Sequence, residues 1–318
     1  MKIVLTDVST VTKGDLSFDF LERLGEVTYY DITAEDQAAE RIRDADIVIC
    51  NKTPLNRNNL SEAKNLKYIG LFATGYNNID IDYCRKRGIP VCNAPAYSTD
   101  SVAQLTFALI LEIVNRVRDY RDLVDKGDWI KSRTFSMFPI ALMELKGKTL
   151  GIIGCGSIGE KTAEIAHAFG MRVIAYNRSP KAVPNVSFTD LETVFKESDI
   201  VSLHCPLNEQ SKNLINKETI SKMKDGAILI NTARGPIVDE AALAEALSSG
   251  KLLAAGVDVL QTEPMTPDCP LYGIENCIIT PHIAWAALET RERLLGIVED
   301  NLNCFLKGET KNNVCLNG

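Results

Sequence analysis

Lys148-Thr149-Leu150-Gly151-Ile152-Ile153-Gly154-Cys155-Gly156-Ser157-Ile158-Gly159 says more than any other part of this chain. The first six residues read as a short buried strand, the next six as GxGxxG, and an Ala-rich helical stretch runs on to Gly170. That order separates a dinucleotide-binding turn from a chance glycine pattern, which alone is as readily a structural turn. Gly154 permits the tight turn, Gly156 lets the backbone approach a pyrophosphate, and Gly159 lets helix and strand pack closely. The N–H groups at Ser157 and Ile158, with the positive end of the helix dipole, would hold the phosphates. About 150 residues precede the motif and require a domain of their own.

Composition agrees with two domains, because 318 residues exceed the size at which a single core usually keeps growing. Hydrophobic content of 45% and charged content of 24% are ordinary for a globular protein. A net charge of -7 without a basic tract argues against nucleic acid. No apolar run approaches the ~20 residues that cross a bilayer. The chain opens on strand-like Met1-Lys2-Ile3-Val4-Leu5 rather than on a signal-peptide pattern. Nine cysteines, nowhere spaced CxxC, suit reduced thiols, and Cys155 reads as a packing residue. The expectation is a cytoplasmic protein with no membrane or nucleic-acid partner and no metal site.

Strand and helix alternate along the chain, which implies an α/β fold with parallel sheets covered on both faces. In the first third, strands are expected at Lys2–Leu5, Glu26–Tyr30, Ile47–Cys50, Tyr68–Leu71 and Val91–Asn93. Helices are expected between them at Asp15–Leu24, Ala34–Asp44 and Asp80–Arg87. One long helix is expected over Asp100–Asp125, apolar almost all round in its early part and therefore buried. From Gly127 to Gly147 the chain is irregular yet carries Trp129, Ile130, Phe135, Met137 and Phe138, which predicts an arm that embraces a second copy; a packed loop is the alternative. Beyond the fingerprint, strands are expected at Arg172–Tyr176, Asp199–His204, Ala227–Asn231, Leu253–Val257 and Cys277–Thr280. Helices are expected from about Asp190, Lys217 and Asp239, and last over Leu288–Leu306.

The strand after a fingerprint helix normally ends in an acidic residue that reads the ribose hydroxyls. Here Asn177-Arg178-Ser179 stands in that place, Asn177 being 18 residues beyond Gly159. A carboxylate would repel a 2′-phosphate, whereas an amide, a guanidinium and a hydroxyl would accept one. The segment leans to NADP(H), or to use of either nicotinamide cofactor; the alternative is an Arg178 that simply points into solvent.

Only three histidines compete for the role of proton donor at neutral pH. His167 lies mid-helix and reads as a packing or surface residue. His204 ends a strand and reads as a bystander lining the site. His282 follows the last strand in Thr280-Pro281-His282-Ile283-Ala284-Trp285, where the proline stops the strand and holds the imidazole at the sheet's carboxyl edge. Arg234, after Ala227–Asn231, and Asp258 and Glu263, after Leu253–Val257, are expected at the same edge.

These segments, in this order behind a mid-chain GxGxxG, resemble those of the D-isomer-specific 2-hydroxyacid dehydrogenases over essentially the whole chain. The resemblance implies two doubly wound parallel-sheet domains, a Rossmann-like cofactor domain (99–285) inserted into a flavodoxin-like substrate domain (1–98 with 286–318). It implies catalysis by Arg234, Glu263 and His282. Arg234 would bind the substrate carboxylate and polarise the keto oxygen, His282 would exchange the proton, and Glu263 would orient the imidazole and favour its protonated form. The same resemblance marks Val102, Cys205, Pro206, Thr232, Ala233, Asp258, His282 and Ala284 as further cofactor contacts. It marks Lys52, Ala73, Thr74, Gly75, Arg234, His282 and Trp285 as substrate contacts; a glycine turn capped by Asn78 or Asp80 is the plainer reading of 73–80.

Asn51-Lys52-Thr53-Pro54-Leu55, Tyr97–Gln104 and Trp285 look most like the glycerate dehydrogenases, also called hydroxypyruvate reductases. That implies reduction of hydroxypyruvate to D-glycerate, with glyoxylate as a second substrate, in a homodimer. Glutamate at position 263 disfavours formate dehydrogenases, which carry glutamine there. These residues do not separate D-lactate, 2-ketogluconate or phosphite as substrates. The same fold and triad also occur in NAD(H)-binding transcriptional corepressors, which leaves a non-enzymatic binding protein as the alternative class.

Overall fold

The computed structural model describes residues 1–179 and 181–316; Pro180, and Asn317 and Gly318 at the end of the expected substrate domain, lie outside the described residues. The chain divides into two units, Met1–Ser98 with Ala286–Gly318, and Thr99–Trp285.

In the first unit the order is β1 (Lys2–Leu5), α1 (Asp19–Glu22), β2 (Glu26–Tyr29), α2 (Glu35–Ile42), β3 (Ile47–Cys50), α3 (Arg57–Leu60), β4 (Tyr68–Leu71), α4 (Ile81–Arg87) and β5 (Val91–Cys92). The strands form one parallel sheet in the order β2-β1-β3-β4-β5. β3 and β4 are buried along their full length, which is why Ile47-Val48-Ile49-Cys50 is an unbroken apolar run and not an alternating one.

The second unit begins with α5 (Thr99–Asn115) and α6 (Val117–Asp125). The single helix expected over 100–125 is therefore two. Arg116 takes φ +51°, a left-handed backbone that ends α5, and α6 buries no residue. The unit continues with β6 (Thr149–Ile153), α7 (Ser157–Ala168), β7 (Arg172–Tyr176), β8 (Ser187–Phe188), α8 (Leu191–Glu197), β9 (Ile200–Leu203), α9 (Lys217–Lys222), β10 (Ala227–Asn231), α10 (Glu240–Ser248), β11 (Leu252–Val257) and β12 (Cys277–Ile279). Its seven parallel strands run in the order β12-β11-β10-β9-β6-β7-β8. One face, with Ile153, Leu203, Leu229 and Val257, is covered by α8, α9 and α10. The other, with Ile152, Ile200, Ile228 and Ile230, is covered by α5 and α7.

The last helix, α11 (Leu288–Leu306), belongs to the first unit. Arg291 makes a bidentate pair with Asp15 at 2.8 and 2.7 Å, and Asn301 donates to the Asn93 carbonyl at 2.9 Å. The α/β alternation and both parallel sheets are as expected. α1 is a single turn instead of the ten residues read from Asp15 to Leu24, and α3 and β8 are too short to carry a periodic signal.

Candidate active site

Three neighbouring parallel strands, β10, β11 and β12, end at one edge of the second sheet, and each delivers a polar side chain there. After β10 the chain turns through Thr232-Ala233-Arg234. Asn231, only 1% exposed, shapes that turn: its Oδ1 accepts the Ala233 N–H at 3.0 Å and its Nδ2 donates to the Arg234 carbonyl at 3.0 Å. The Arg234 side chain is exposed, with Nη1 donating to the Ala233 carbonyl at 2.6 Å. A Cβ on the next residue, Gly235, would stand 1.8 Å from the Leu260 carbonyl oxygen. The Arg234 turn and the loop after β11 therefore touch backbone to backbone.

That loop carries Glu263 and is fastened to the start of α10. The Gln261 N–H donates to the buried Glu240 carboxylate at 2.6 Å, and Gln261 Nε2 donates to the Val238 carbonyl at 2.7 Å. Glu263 Oε1 accepts the Leu260 N–H at 3.0 Å, which leaves Oε2 to accept from His282 Nδ1 at 2.7 Å.

Asp258 holds the loop after β12. Its carboxylate, 1% exposed, accepts the Thr280 hydroxyl at 2.6 Å, the Ile283 N–H at 2.8 Å and the Ala284 N–H at 2.8 Å. Its own carbonyl accepts the His282 N–H at 2.9 Å. Burial pushes the Asp258 carboxyl above the usual carboxylate value, against the pull of these donors. His282 lies at φ +55°. That left-handed backbone costs a non-glycine residue about 1–3 kcal/mol, and the Asp258 contacts on either side hold it there.

With Nδ1 engaged by Glu263, Nε2 is the ring nitrogen left to face a substrate. The other histidines stand elsewhere. His204 has Nε2 2.9 Å from Ser202 Oγ, and burial pushes its imidazole down to about 4, so it is neutral and has no proton to give at pH 7. His167 is exposed on α7.

At β6 the fingerprint has the shape a dinucleotide requires. Gly154 takes φ +95°, and a Cβ there would stand 2.4 Å from the Cys205 nitrogen; a Cβ on Gly159 would stand 2.6 Å from the Gly154 carbonyl. Gly156 has nothing within 4 Å of where its Cβ would be, an open face beside Ser157 and Ile158 in the first turn of α7. A cleft of about 340 Å³ adjoins it, lined among others by Tyr176, Arg178, Ser179, Cys205 and Pro206. Asn177 also lines this cleft, but its amide is turned on the fingerprint: Oδ1 accepts the Cys155 N–H at 3.1 Å and Nδ2 reaches the Cys155 carbonyl at 3.4 Å. Arg178 and Ser179 are exposed. On the opposite face of the sheet from α8, Thr232 bonds Thr106 of α5 at 3.0 Å, and Val102 is buried one turn earlier. Ser101 Oγ donates to the Ala284 carbonyl at 2.6 Å, which ties the start of α5 to the His282 loop; Trp285 follows, half-buried.

Lys52, Ala73, Thr74 and Gly75 belong to the first unit, after β3 and β4. Lys52 is exposed. Thr74 is held by Ala94 and Asn93: its hydroxyl donates to the Ala94 carbonyl at 2.7 Å, and its carbonyl accepts Asn93 Nδ2 at 2.7 Å. Asp80 caps α4 through the Tyr83 N–H at 2.9 Å. Among the described residues, no group of three or more His, Cys, Asp or Glu side chains is arranged to hold a metal ion, and no helix is long and apolar enough to cross a membrane.

Comparison with known proteins agrees with this geometry. The family described as D-isomer specific 2-hydroxyacid dehydrogenase, NAD binding domain, matches residues 107–284. A hydroxypyruvate reductase of Blautia hydrogenotrophica is 45% identical over 98% of this chain and 99% of its own. The crystal structure of a Thermus thermophilus protein superposes with a TM-score of 0.89 at 38% identity, covering 99% of this chain and all of that one (100%). An acyclic imino acid reductase in complex with NADPH and D-Arg superposes with a TM-score of 0.88 at 31% identity, covering 99% of this chain and 100% of its own. The chain belongs to the D-isomer-specific 2-hydroxyacid dehydrogenases. It is an oxidoreductase of that class and uses a nicotinamide cofactor.

Reduction needs a proton on His282, so activity falls as pH rises and that proton is lost. Removing the charge beside the ring makes the imidazolium harder to keep. In Glu263→Gln the high-pH limb of the reduction profile is therefore expected to move to lower pH, by on the order of one unit. A profile of initial rate against pH that stays in place in the variant would show that the 2.7 Å contact has no bearing on the proton.

Proposed function

We propose that the chain reduces hydroxypyruvate to D-glycerate, with glyoxylate as a second substrate, and that Arg234, Glu263 and His282 carry the chemistry. The observation that carries this reading is the Glu263–His282 hydrogen bond, made on the strand next to the Arg234 turn and in the same unit as the glycine fingerprint. The 45% identity to a hydroxypyruvate reductase supports the choice of substrate.

A bound nicotinamide supplies the hydride. The chain supplies geometry, charge and the proton. Gly154, Gly156, Ser157, Ile158 and Gly159 hold the pyrophosphate at the head of α7, and Val102, Cys205, Pro206, Thr232, Ala233, Asp258, His282 and Ala284 line the remainder of the cofactor. The Arg234 guanidinium binds the carboxylate and polarises the keto oxygen, and His282 Nε2 donates the proton to that oxygen. The carboxylate oriented on Nδ1 keeps the imidazole charged until transfer. Lys52, Ala73, Thr74, Gly75 and Trp285 complete substrate recognition. His282→Gln is expected to lower kcat for hydroxypyruvate by about 10²–10⁴ while leaving cofactor affinity nearly intact. Full turnover in this variant would end the assignment.

The cofactor is NADP(H), or either nicotinamide, because Asn177-Arg178-Ser179 brings no carboxylate to the ribose end of the cleft. The relative solved with NADPH supports the same reading. Initial rates with NADH and NADPH in parallel test it. Arg178→Ala is expected to cost about tenfold in kcat/KM for NADPH and little for NADH. A tenfold preference for NADH that Arg178→Ala leaves unchanged would overturn it.

The protein is a homodimer of a reducing compartment, the cytoplasm. All nine cysteines are free thiols. Ile130, Phe135 and Phe138 are 88%, 92% and 78% exposed on the 127–147 arm, an apolar surface that a second copy would cover. Light scattering at micromolar concentration is expected to give the dimer mass, and Phe135→Asp with Phe138→Asp the monomer.

A further inference from the structure

A second buried carboxylate stands at the switch point of the first sheet. In the order β2-β1-β3-β4-β5 the chain steps one way from β1 to β2 and the other way from β3 onward, so the crevice at the carboxyl ends of β1 and β3 is where such sheets bind ligands. Asp7 follows β1 there and is 3% exposed. Its Oδ1 accepts the Asn51 N–H at 2.9 Å and the Thr6 hydroxyl at 3.3 Å; its Oδ2 accepts the Lys52 N–H at 2.5 Å and the Thr53 N–H at 2.8 Å. Three consecutive amides converging on one anion form a nest, here filled by the chain's own carboxylate.

The nest fixes the segment around Lys52. Asn51 and Thr53 are buried at 4% and 2%, while Lys52 between them is exposed. Asn78 Nδ2 donates to the Thr53 carbonyl at 2.9 Å and Asn51 Nδ2 to Thr10 Oγ1 at 3.0 Å, so the backbone on both sides of Lys52 is pinned. The acceptor must be a carboxylate, because four donors need four lone-pair sites. An asparagine offers two and turns an NH₂ on the remaining donors.

We infer that Asp7 is a positioning residue for the keto acid, which acts by holding Lys52 through the amides of 51–53. This rests on the reading of Lys52 as a substrate contact. Asp7→Ala and Lys52→Met are compared for KM and kcat with hydroxypyruvate and for cofactor affinity by quenching of reduced-nicotinamide fluorescence. Each is measured with and without added formate, a carboxylate small enough to enter the vacated nest. Asp7→Ala is expected to raise KM about tenfold, the worth of lost hydrogen bonds to a charged group, with cofactor affinity unchanged. Formate is expected to restore much of that loss in Asp7→Ala and none in Lys52→Met or the parent enzyme. If Lys52→Met raises KM and Asp7→Ala does not, the inference about Asp7 falls while the Lys52 reading stands. If Lys52→Met leaves KM unchanged, the Lys52 reading falls and this inference with it. A rise in KM that formate does not reverse also overturns the proposal, because the lost group is then not acting as an anion in the nest. Should Asp7→Ala fail to fold, Asp7→Asn carries the same test: an unchanged KM there overturns it.

Discussion

One buried carboxylate, that of Asp258, sets the shape of the edge on which Glu263 and His282 meet. Three donors from the loop after β12 converge on it, and its own carbonyl takes the His282 N–H. Burying a charge is costly unless donors replace the lost water, and here the loop backbone provides them. The exchange works in both directions, because amides just past the end of a strand have no ladder partner and would otherwise be unsatisfied at about 1–3 kcal/mol each. The left-handed backbone at His282 is tolerated only inside this arrangement.

The same device recurs where other strands of the two sheets end beside functional loops. Asn231 closes the Arg234 turn with both ends of its amide, Glu240 receives the Gln261 N–H of the Glu263 loop, and Asp7 gathers the amides of 51–53. In the second unit the loops are also locked to one another. Gly235 admits the Leu260 carbonyl where any side chain would stand, so displacing the Arg234 turn displaces the loop that orients His282. Coupled loops of this kind cannot be varied one at a time.

The architecture was legible because parallel strands buried on both faces leave long apolar runs, and glycines at fixed offsets mark the fingerprint. Elements were missed where the signal is physical but local: a single residue at φ +51° divides one expected helix into two, and α3 and β8 are shorter than any period. At the candidate site, Arg234, Glu263 and His282 were legible as polar residues just beyond apolar strands. Asn231, Glu240 and Gln261 were not, although Asn231 closes the apolar run Ala227-Ile228-Leu229-Ile230. A polar residue that closes a buried strand has to direct its hydrogen bonds to backbone nearby. That rule would have pointed to Asn231, and to Asp7 after Ile3-Val4-Leu5-Thr6. Glu240 opens a helix, where a carboxylate is expected for reasons of capping, so its reach across to Gln261 left no mark in the pattern.

Asn177 shows how such bracing constrains chemistry. The Cys155 peptide lies inside the fingerprint turn, and Asn177 meets both its N–H and its carbonyl. An amide can do this because it carries a donor and an acceptor, whereas a carboxylate has only acceptors and would face the Cys155 carbonyl with a like partial charge. The residue that ends β7 is thus held neutral by what the turn requires of it. A strand end that braces the glycine loop in this way gives up the charge with which it could have read the ribose hydroxyls. Discrimination at that end of the cleft then rests on the exposed pair that follows, Arg178 and Ser179, whose side chains the fold leaves to the ligand.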